Sequence, residues 1–238
     1  MQKILSISGI NLGNENREVI SHEYKYILIT PPKTGSSTIY DALKPYSNIT
    51  KCKNPRSNGY NPYNYIDEFR HVAPRLSRHG SKHITISEIC TELASQGVDI
   101  SNYMKIGVIR NPFDQMLSFW KWRYKKHEHK LKKTFLEFLK HRLSRDQDSH
   151  GNPILNSAYF KVGSRYIMDT YIRFESLNHD YNTLCNKLSL PTCTLRHLNK
   201  TSHKHYSTYY TPETRELVNH YFADDIEYFN YTFDQHDT

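Results

Sequence analysis

The chain has 238 residues, of which 37% are hydrophobic and 24% are charged, and its 32 lysines and arginines outnumber 24 aspartates and glutamates. This length suits one sizeable α/β domain, and the composition excludes a disordered chain. The formal charge of +8 favours an anionic partner, such as a nucleotide, an acidic glycan, a nucleic acid or an anionic membrane surface, without choosing among them.

The first predicted elements lie within the first fifth of the chain. Residues 1–23 are polar and weakly patterned, which predicts a lead-in with room for one short edge strand, ahead of a single domain over 24–238. A buried parallel strand is predicted over 24–30, because a β-branched and aromatic run stops there at Pro31. A helix over 36–43 follows it directly.

Residues 51–80 show no clear period in the spacing of their apolar residues. After this stretch, the chain alternates between helical and strand patterns. Further helices are predicted over 84–96, 113–126, 134–143, 178–188 and 211–222, and further strands over 103–109 and 166–174. Thr134 opens a capping box with Glu137, and Thr211 is a capping residue before a proline. This alternation predicts an α/β fold with one domain, in which helices flank a central, mostly parallel β-sheet.

The first motif joins the first predicted strand to the helix over 36–43. A helix N-terminus binds phosphate through free N–H groups, Gly35 lets the backbone approach an anion closely, and Lys33 adds a positive charge. Hydroxyl groups follow at Thr34, Ser36, Ser37 and Thr38. The alternative is an ordinary strand–turn–helix with serines as caps. The turn is not a Walker A loop, because its lysine precedes its glycine.

The second motif begins at the end of the strand over 103–109, where Arg110 is followed by Asn-Pro and, eight residues later, by Ser118. Open α/β sheets bind ligands at the carboxyl ends of their strands. Arg110 would therefore lie beside the first motif if the two strands are neighbours, and Ser118 would face the same cleft. The alternative is that Arg110 and Asp114 form an ion pair that shapes the turn.

Together, in this order and each after a strand, the two motifs resemble those of sulfotransferases that use PAPS (3′-phosphoadenosine 5′-phosphosulfate). The first resembles the loop that binds the 5′-phosphosulfate, and the second resembles the motif that binds the 3′-phosphate. Weaker similarities to the carbohydrate branch, which is heparan sulfate 2-O-sulfotransferase-like, occur over 83–88, 134–139, 173–177, 199–202 and 221–231. Two departures from the family pattern are the pair Ser36-Ser37, where a glycine is commoner, and residues 51–80.

The resemblance implies a P-loop-like sulfotransferase fold and in-line transfer of a sulfuryl group from PAPS to an acceptor hydroxyl, with PAP as the product and no metal. It assigns Lys33 to the bridging oxygen, Arg110 with Ser118 to the 3′-phosphate, and residues 34–38 to the 5′-phosphosulfate. It also implies that His83 is the catalytic base, a role that suits the near-neutral pKa of imidazole. His79 is the second candidate.

A basic run over 121–133 follows the second motif and has one acidic residue, Glu128. Such a run is usually a solvated helix face. The adjoining tryptophans support a second interpretation, in which an acidic or sugar acceptor, most simply a glycan, lies along the run. The residues that would contact this acceptor are His79, Trp120, Arg123, Lys125 and Lys126.

The remaining features concern compartment and competing functions. No apolar run reaches the ~20 residues of a membrane span, and residues 1–13 lack the pattern of a signal peptide. The cysteines have no metal-ligand spacing, so we expect reduced, mostly buried thiols in a cytoplasmic protein. We also expect no nucleic-acid partner. Two other functions stay open: a basic module that binds polyanions without catalysis, and a nucleotide-dependent phosphotransferase, against which the missing Walker lysine and Mg²⁺-binding aspartate count.

Overall fold

A computed structural model of the chain describes residues 19–47, 84–126, 133–145, 155–195 and 204–234. Two predicted site residues, His79 and His83, lie outside these ranges, as does the stretch over 51–80. The side chains of Lys125 and Lys126 are also outside the description, although the backbone of both is helical.

A four-stranded sheet forms the centre of the fold. The strands of the described residues are β1 (Val19–Ser21), β2 (Tyr26–Ile29), β3 (Met104–Ile109), β4 (Lys161–Val162), β5 (Arg165–Tyr166) and β6 (Thr170–Arg173). The order in the sheet is β1-β2-β3-β6, in which β1 is an antiparallel edge strand and the other three are parallel. The predicted, mostly parallel sheet is therefore confirmed. Because β2 and β3 are neighbours, both sequence motifs follow the same edge of the sheet.

Helices cover both faces of this sheet, as predicted. Those of the described residues are α1 (Ser36–Leu43), α2 (Ile86–Ser95), α3 (Pro112–Lys126), α4 (Phe135–Leu143), α5 (Leu177–Leu188), α6 (Pro212–Tyr221) and α7 (Ala223–Tyr228). The predicted starts of α4 and α6 are confirmed, because Thr134 and Thr211 both accept the backbone N–H of the residue three positions on. Within the described residues, no helix combines the length and apolarity needed to cross a bilayer.

The apolar core follows from the two-residue period of the strands. In β2, Tyr26 and Leu28 pack with α1 and α5, whereas Ile27 and Ile29 pack with α2 on the opposite face. Both faces of the central strands are buried, which explains their continuous apolar sequences. A third cluster joins α3, α4 and α6 beside the sheet.

Two predictions differ from the structure. The strand expected over 166–174 is divided, because β5 belongs to a hairpin with β4 and the sheet strand β6 begins only at Thr170. Between them, the N–H of Asp169 donates to the carbonyl of Lys105 on the neighbouring strand. The expectation of mostly buried thiols is wrong for Cys193, which is exposed, whereas Cys185 is buried.

Candidate active site

The loop between β2 and α1 forms one side of the candidate site. Gly35 is the N-cap residue of α1, with a φ of +89° and no side-chain cap, and the first turn of the helix carries no acidic residue. The N–H groups of Thr38 and Ile39 donate to the Gly35 carbonyl. An uncapped helix N-terminus with its partial positive charge is suited to binding an anion. Within the loop, the buried Thr34 hydroxyl donates to the Pro31 carbonyl at 2.7 Å.

Substitution of Gly35 by alanine should weaken both the stability of the protein and the binding of an anion at the N-terminus of α1. A Cβ at Gly35 would lie 2.9 Å from Cδ2 of Phe174, and the positive φ adds a backbone cost of about 1–2 kcal/mol. Gly97→Ala is the matched control, because Gly97 has a φ of +71° with no atom within 4 Å of its Cβ position. Thermal unfolding should show lower stability in both variants, because both have a positive φ, whereas calorimetry with the bisphosphate PAP as a probe should show a loss of affinity for Gly35→Ala alone. Equal PAP affinity in both variants would contradict this.

Arg110 joins the two sequence motifs. Its Nη1 donates to the carbonyl of Lys33 at 2.8 Å, which links the end of β3 to the loop after β2. Its Nε and Nη2 contact Oδ2 of Asp114 at 2.8 and 2.6 Å, so the ion pair considered from the sequence is present. The guanidinium carbon also lies 3.7 Å from the ring centroid of Phe174. These contacts use three of the five guanidinium N–H groups, and the other two can donate to a phosphate.

Lys33 is the second cation of the site. Burial and, to a smaller extent, the charge of Arg110 together lower the pKa of Lys33 from 10.5 to about 8. Its Nζ lies 5.7 Å from the ring centroid of Trp122, whose side chain is 47% exposed. Lys33 therefore lies between a buried cation and an exposed aromatic ring, and its charge is costly unless an anion is bound.

The segment after Arg110 is fixed by long-range hydrogen bonds. The backbone N–H of Asn111 donates to Glu175 at 2.6 Å, and the amide nitrogen of its side chain donates to the carbonyl of Thr232 at 2.9 Å. The hydroxyl of Tyr231 donates to the second oxygen of Glu175 at 3.2 Å. Burial raises the pKa of Glu175. The C-terminal segment thus holds the Arg110 turn in place.

Other predicted residues occupy α3. Asp114 and Ser118 are four residues apart, and Trp122 follows after four more, so the three lie along one side of the helix. Trp120 lies instead against Phe135 and its Nε1 donates to the carbonyl of Lys133. The structure therefore brings together Lys33, Gly35 and Arg110, whereas Trp120 packs between helices.

Two residues of the site, Phe174 and Gln115, received no role from the sequence, and Trp122 was considered only as one of the two tryptophans of the basic run. Phe174 lies under both Gly35 and Arg110, and it directly follows β6 at the same sheet edge, which is a signal that could have identified it. Trp122 continues the four-residue spacing of Asp114 and Ser118, a second usable signal. Gln115 donates from Nε2 to the Pro32 carbonyl at 2.8 Å, and no local pattern marks it.

Comparison with known proteins gives one match. The family model described as "Sulfotransferase family" matches residues 16–232, which include β1 to β6 and both motifs. Neither the curated proteins nor the solved structures yield a match. In the part of the chain that the structure describes, no group of three or more histidine, cysteine, aspartate or glutamate side chains could hold a metal ion.

Proposed function

Because the chain belongs to the sulfotransferase family and is thus a transferase of sulfuryl groups, we propose that its donor is PAPS and that its acceptor is a carbohydrate hydroxyl. One observation carries the donor half of this proposal. The hydrogen bond from Arg110 to the Lys33 carbonyl makes a single site of two motifs that are 77 residues apart. A molecule with a phosphosulfate at one end and a phosphate at the other matches such a site.

Each part of the donor has a candidate partner. The 5′-phosphosulfate would bind at the N-terminus of α1, with Lys33 at the bridging oxygen. Hydroxyl donors at that end are Ser36, Ser37 and Thr38, whereas the Thr34 hydroxyl is already used by the Pro31 carbonyl, so we assign to Thr34 its backbone N–H only. The 3′-phosphate would take the two remaining N–H groups of Arg110 and the hydroxyl of Ser118.

The proposed reaction is an in-line displacement at sulfur. The acceptor oxygen forms a bond to sulfur while the bond from sulfur to the 5′-phosphate oxygen breaks, and PAP leaves with the electron pair of that bond. The acceptor proton passes to His83, which precedes the N-cap residue Thr85 of α2 by two positions. Protonated Lys33 stabilises the charge that develops on the bridging oxygen.

The acceptor half of the proposal rests on the surface next to Lys33. Trp122 offers an exposed ring there, and rings of this kind pack against the apolar faces of sugars. Lys33 lies against this ring, whereas the adjacent Lys121 lies against Tyr209, with Nζ 4.2 Å from the ring centroid, and Arg123 is half-buried on the same helix. This surface suits a sugar ring that bears an acidic substituent.

Substitution of His83 by alanine should abolish most turnover without weakening donor binding. Loss of a general base typically lowers kcat by about 10²–10⁴-fold. His220→Ala serves as the matched control, because His220 is exposed near the end of α6. Rates of sulfuryl transfer and calorimetry with PAP measure the two effects. Undiminished kcat in His83→Ala would move the base to another residue, and His79 would be the next to test.

Calorimetry with PAP, ATP and heparin tests the donor assignment. Tight binding of PAP with weak binding of ATP supports PAPS as the donor, because ATP lacks the 3′-phosphate that Arg110 would contact. A heparin signal without a PAP signal would favour a basic module that binds polyanions. Equal binding of ATP and PAP would contradict the proposed role of the second motif.

A further inference from the structure

Three consecutive carbonyl groups of the loop between β2 and α1 accept hydrogen bonds from side chains. The Pro31 carbonyl accepts from the hydroxyl of Thr34 at 2.7 Å. The Pro32 carbonyl accepts from Nε2 of Gln115 and the Lys33 carbonyl from Nη1 of Arg110, both at 2.8 Å. A carbonyl oxygen carries partial negative charge and repels an anion, whereas backbone N–H groups attract one. These bonds tie the carbonyls to protein donors, so that the loop can present N–H groups to an anion.

Two of these bonds flank Lys33. The bond from Gln115 fixes the peptide plane between Pro32 and Lys33, and the bond from Arg110 fixes the plane that follows Lys33. The orientations of these two planes set φ and ψ of Lys33. Its φ is +68°, a left-handed conformation that is unfavourable for a residue with a side chain and that persists where surrounding contacts impose it. The direction of the Lys33 side chain therefore depends on both donors.

The amide of Gln115 is held in turn by a buried polar chain. Gln115 is 1% exposed, and its Nε2 also donates to Oδ1 of Asn156 at 3.0 Å, while its Oε1 accepts from Nδ2 of Asn156 at 2.7 Å. The backbone N–H groups of Asn156 and Ser157 donate to the buried carboxylate of Asp225 at 2.7 and 3.0 Å. Both Nε2 hydrogens are thus used, and the amide cannot rotate without breaking several bonds.

We propose that Gln115 is a positioning residue for sulfuryl transfer, which aims the Lys33 ammonium at the bridging oxygen by fixing the peptide plane between Pro32 and Lys33. The inference rests on the proposed role of Lys33 and goes beyond it, because it assigns a task to a residue that need not touch the donor. It predicts that loss of the Gln115 amide impairs the chemical step more than donor binding.

Two variants of Gln115 test this role. Gln115→Glu keeps the size and the acceptor oxygen but loses the donor to the Pro32 carbonyl, and Gln115→Met is neutral and of similar size. Both should lower kcat by about 100-fold while the affinity for PAPS, measured without acceptor, changes by no more than about threefold, because a small misplacement of a catalytic group has effects of this order. The fall of kcat/KM at high pH should also move above the pKa of about 8, since a misdirected Lys33 is better solvated.

Thr214→Val is the control for lost stability, because it removes a buried capping hydroxyl of α6 and leaves the loop untouched. Its kcat should match that of the wild type. Three results would overturn the inference: an unchanged kcat in both folded Gln115 variants, a loss of PAPS affinity equal to the loss of kcat, or a failure of both variants to fold, which would make the amide a structural group. A wild-type protein that transfers no sulfuryl group would overturn the proposed function itself.

Discussion

Replacement of Lys33 by methionine should lower kcat by roughly 10²–10³-fold, because removal of one preorganised group that stabilises developing charge has effects of this size. Methionine keeps most of the apolar stem but has no charge. Binding of PAPS should weaken much less, because little charge resides on the bridging oxygen before transfer, whereas binding of PAP should also weaken, because its 5′-phosphate oxygen carries that charge in full. Sulfuryl-transfer rates and calorimetry with PAPS in the absence of acceptor, run on the same preparation, measure both quantities.

The pH dependence sharpens this test. Burial and the charge of Arg110 lower the pKa of Lys33 from 10.5 to about 8, so kcat/KM for the donor should fall as the pH rises through about 8. Lys33→Arg should remove that fall, because arginine stays protonated. Lys33→Met should also melt at a higher temperature than the wild type at pH 7, with a gain that shrinks between pH 8 and 10.5 as the wild-type lysine loses its proton. A wild-type profile that is flat from pH 7 to 10 would contradict the role of Lys33.

Replacement of Arg110 by methionine should have the largest effect on both folding and donor binding. The side chains of Arg110 and Asp114 are only 8% and 13% exposed, so loss of the guanidinium leaves a buried carboxylate without its partner. Breaking such a pair typically costs roughly 3–5 kcal/mol of unfolding free energy. The same change removes the donors proposed for the 3′-phosphate. PAP affinity should therefore fall by about 100-fold, which corresponds to one charge-assisted contact.

The double variant Arg110→Met with Asp114→Leu separates these two effects. Replacing both members of a buried pair with apolar residues removes the unpaired charge, so most of the lost stability should return. PAP affinity should stay as low as in Arg110→Met alone. Chemical denaturation and calorimetry provide the two readouts. If the double variant binds PAP as tightly as the wild type does, the role of Arg110 is confined to shaping the turn.

Most of the fold could be predicted from local patterns in the sequence. The run Tyr26–Ile29 is apolar on both faces and ends before two prolines, and Thr134 and Thr211 carry capping signals that span only four residues. These signals act between near neighbours, so they are visible in sequence. The division of the strand expected over 166–174 was not visible, because the bond from Asp169 to Lys105 joins residues that are 64 positions apart.

The site could be predicted only in part for the same reason. Lys33 and Arg110 each stand at the end of a strand, and neighbouring parallel strands bring such ends together. The bonds that orient these residues come from elsewhere: Gln115 holds the Pro32 carbonyl, and Glu175 holds the N–H of Asn111. No local pattern marks Gln115, and the family resemblance over 173–177 includes Glu175 without indicating its bond to Asn111. Their roles follow only from three-dimensional contacts.

Incubation of the protein with radiolabelled PAPS and a panel of acidic glycans, neutral glycans, peptides and small alcohols tests the proposed sulfuryl transfer most directly. We expect label on a glycan with acidic substituents, release of PAP in equal amount, and a rate of labelling about 10²–10³-fold lower with Lys33→Met. Label on a peptide or a small alcohol alone would contradict the proposed carbohydrate acceptor. The folded protein could instead bind PAPS and transfer no label to any acceptor class in the panel. That result would contradict a sulfuryl-transfer site formed by Lys33 and Arg110.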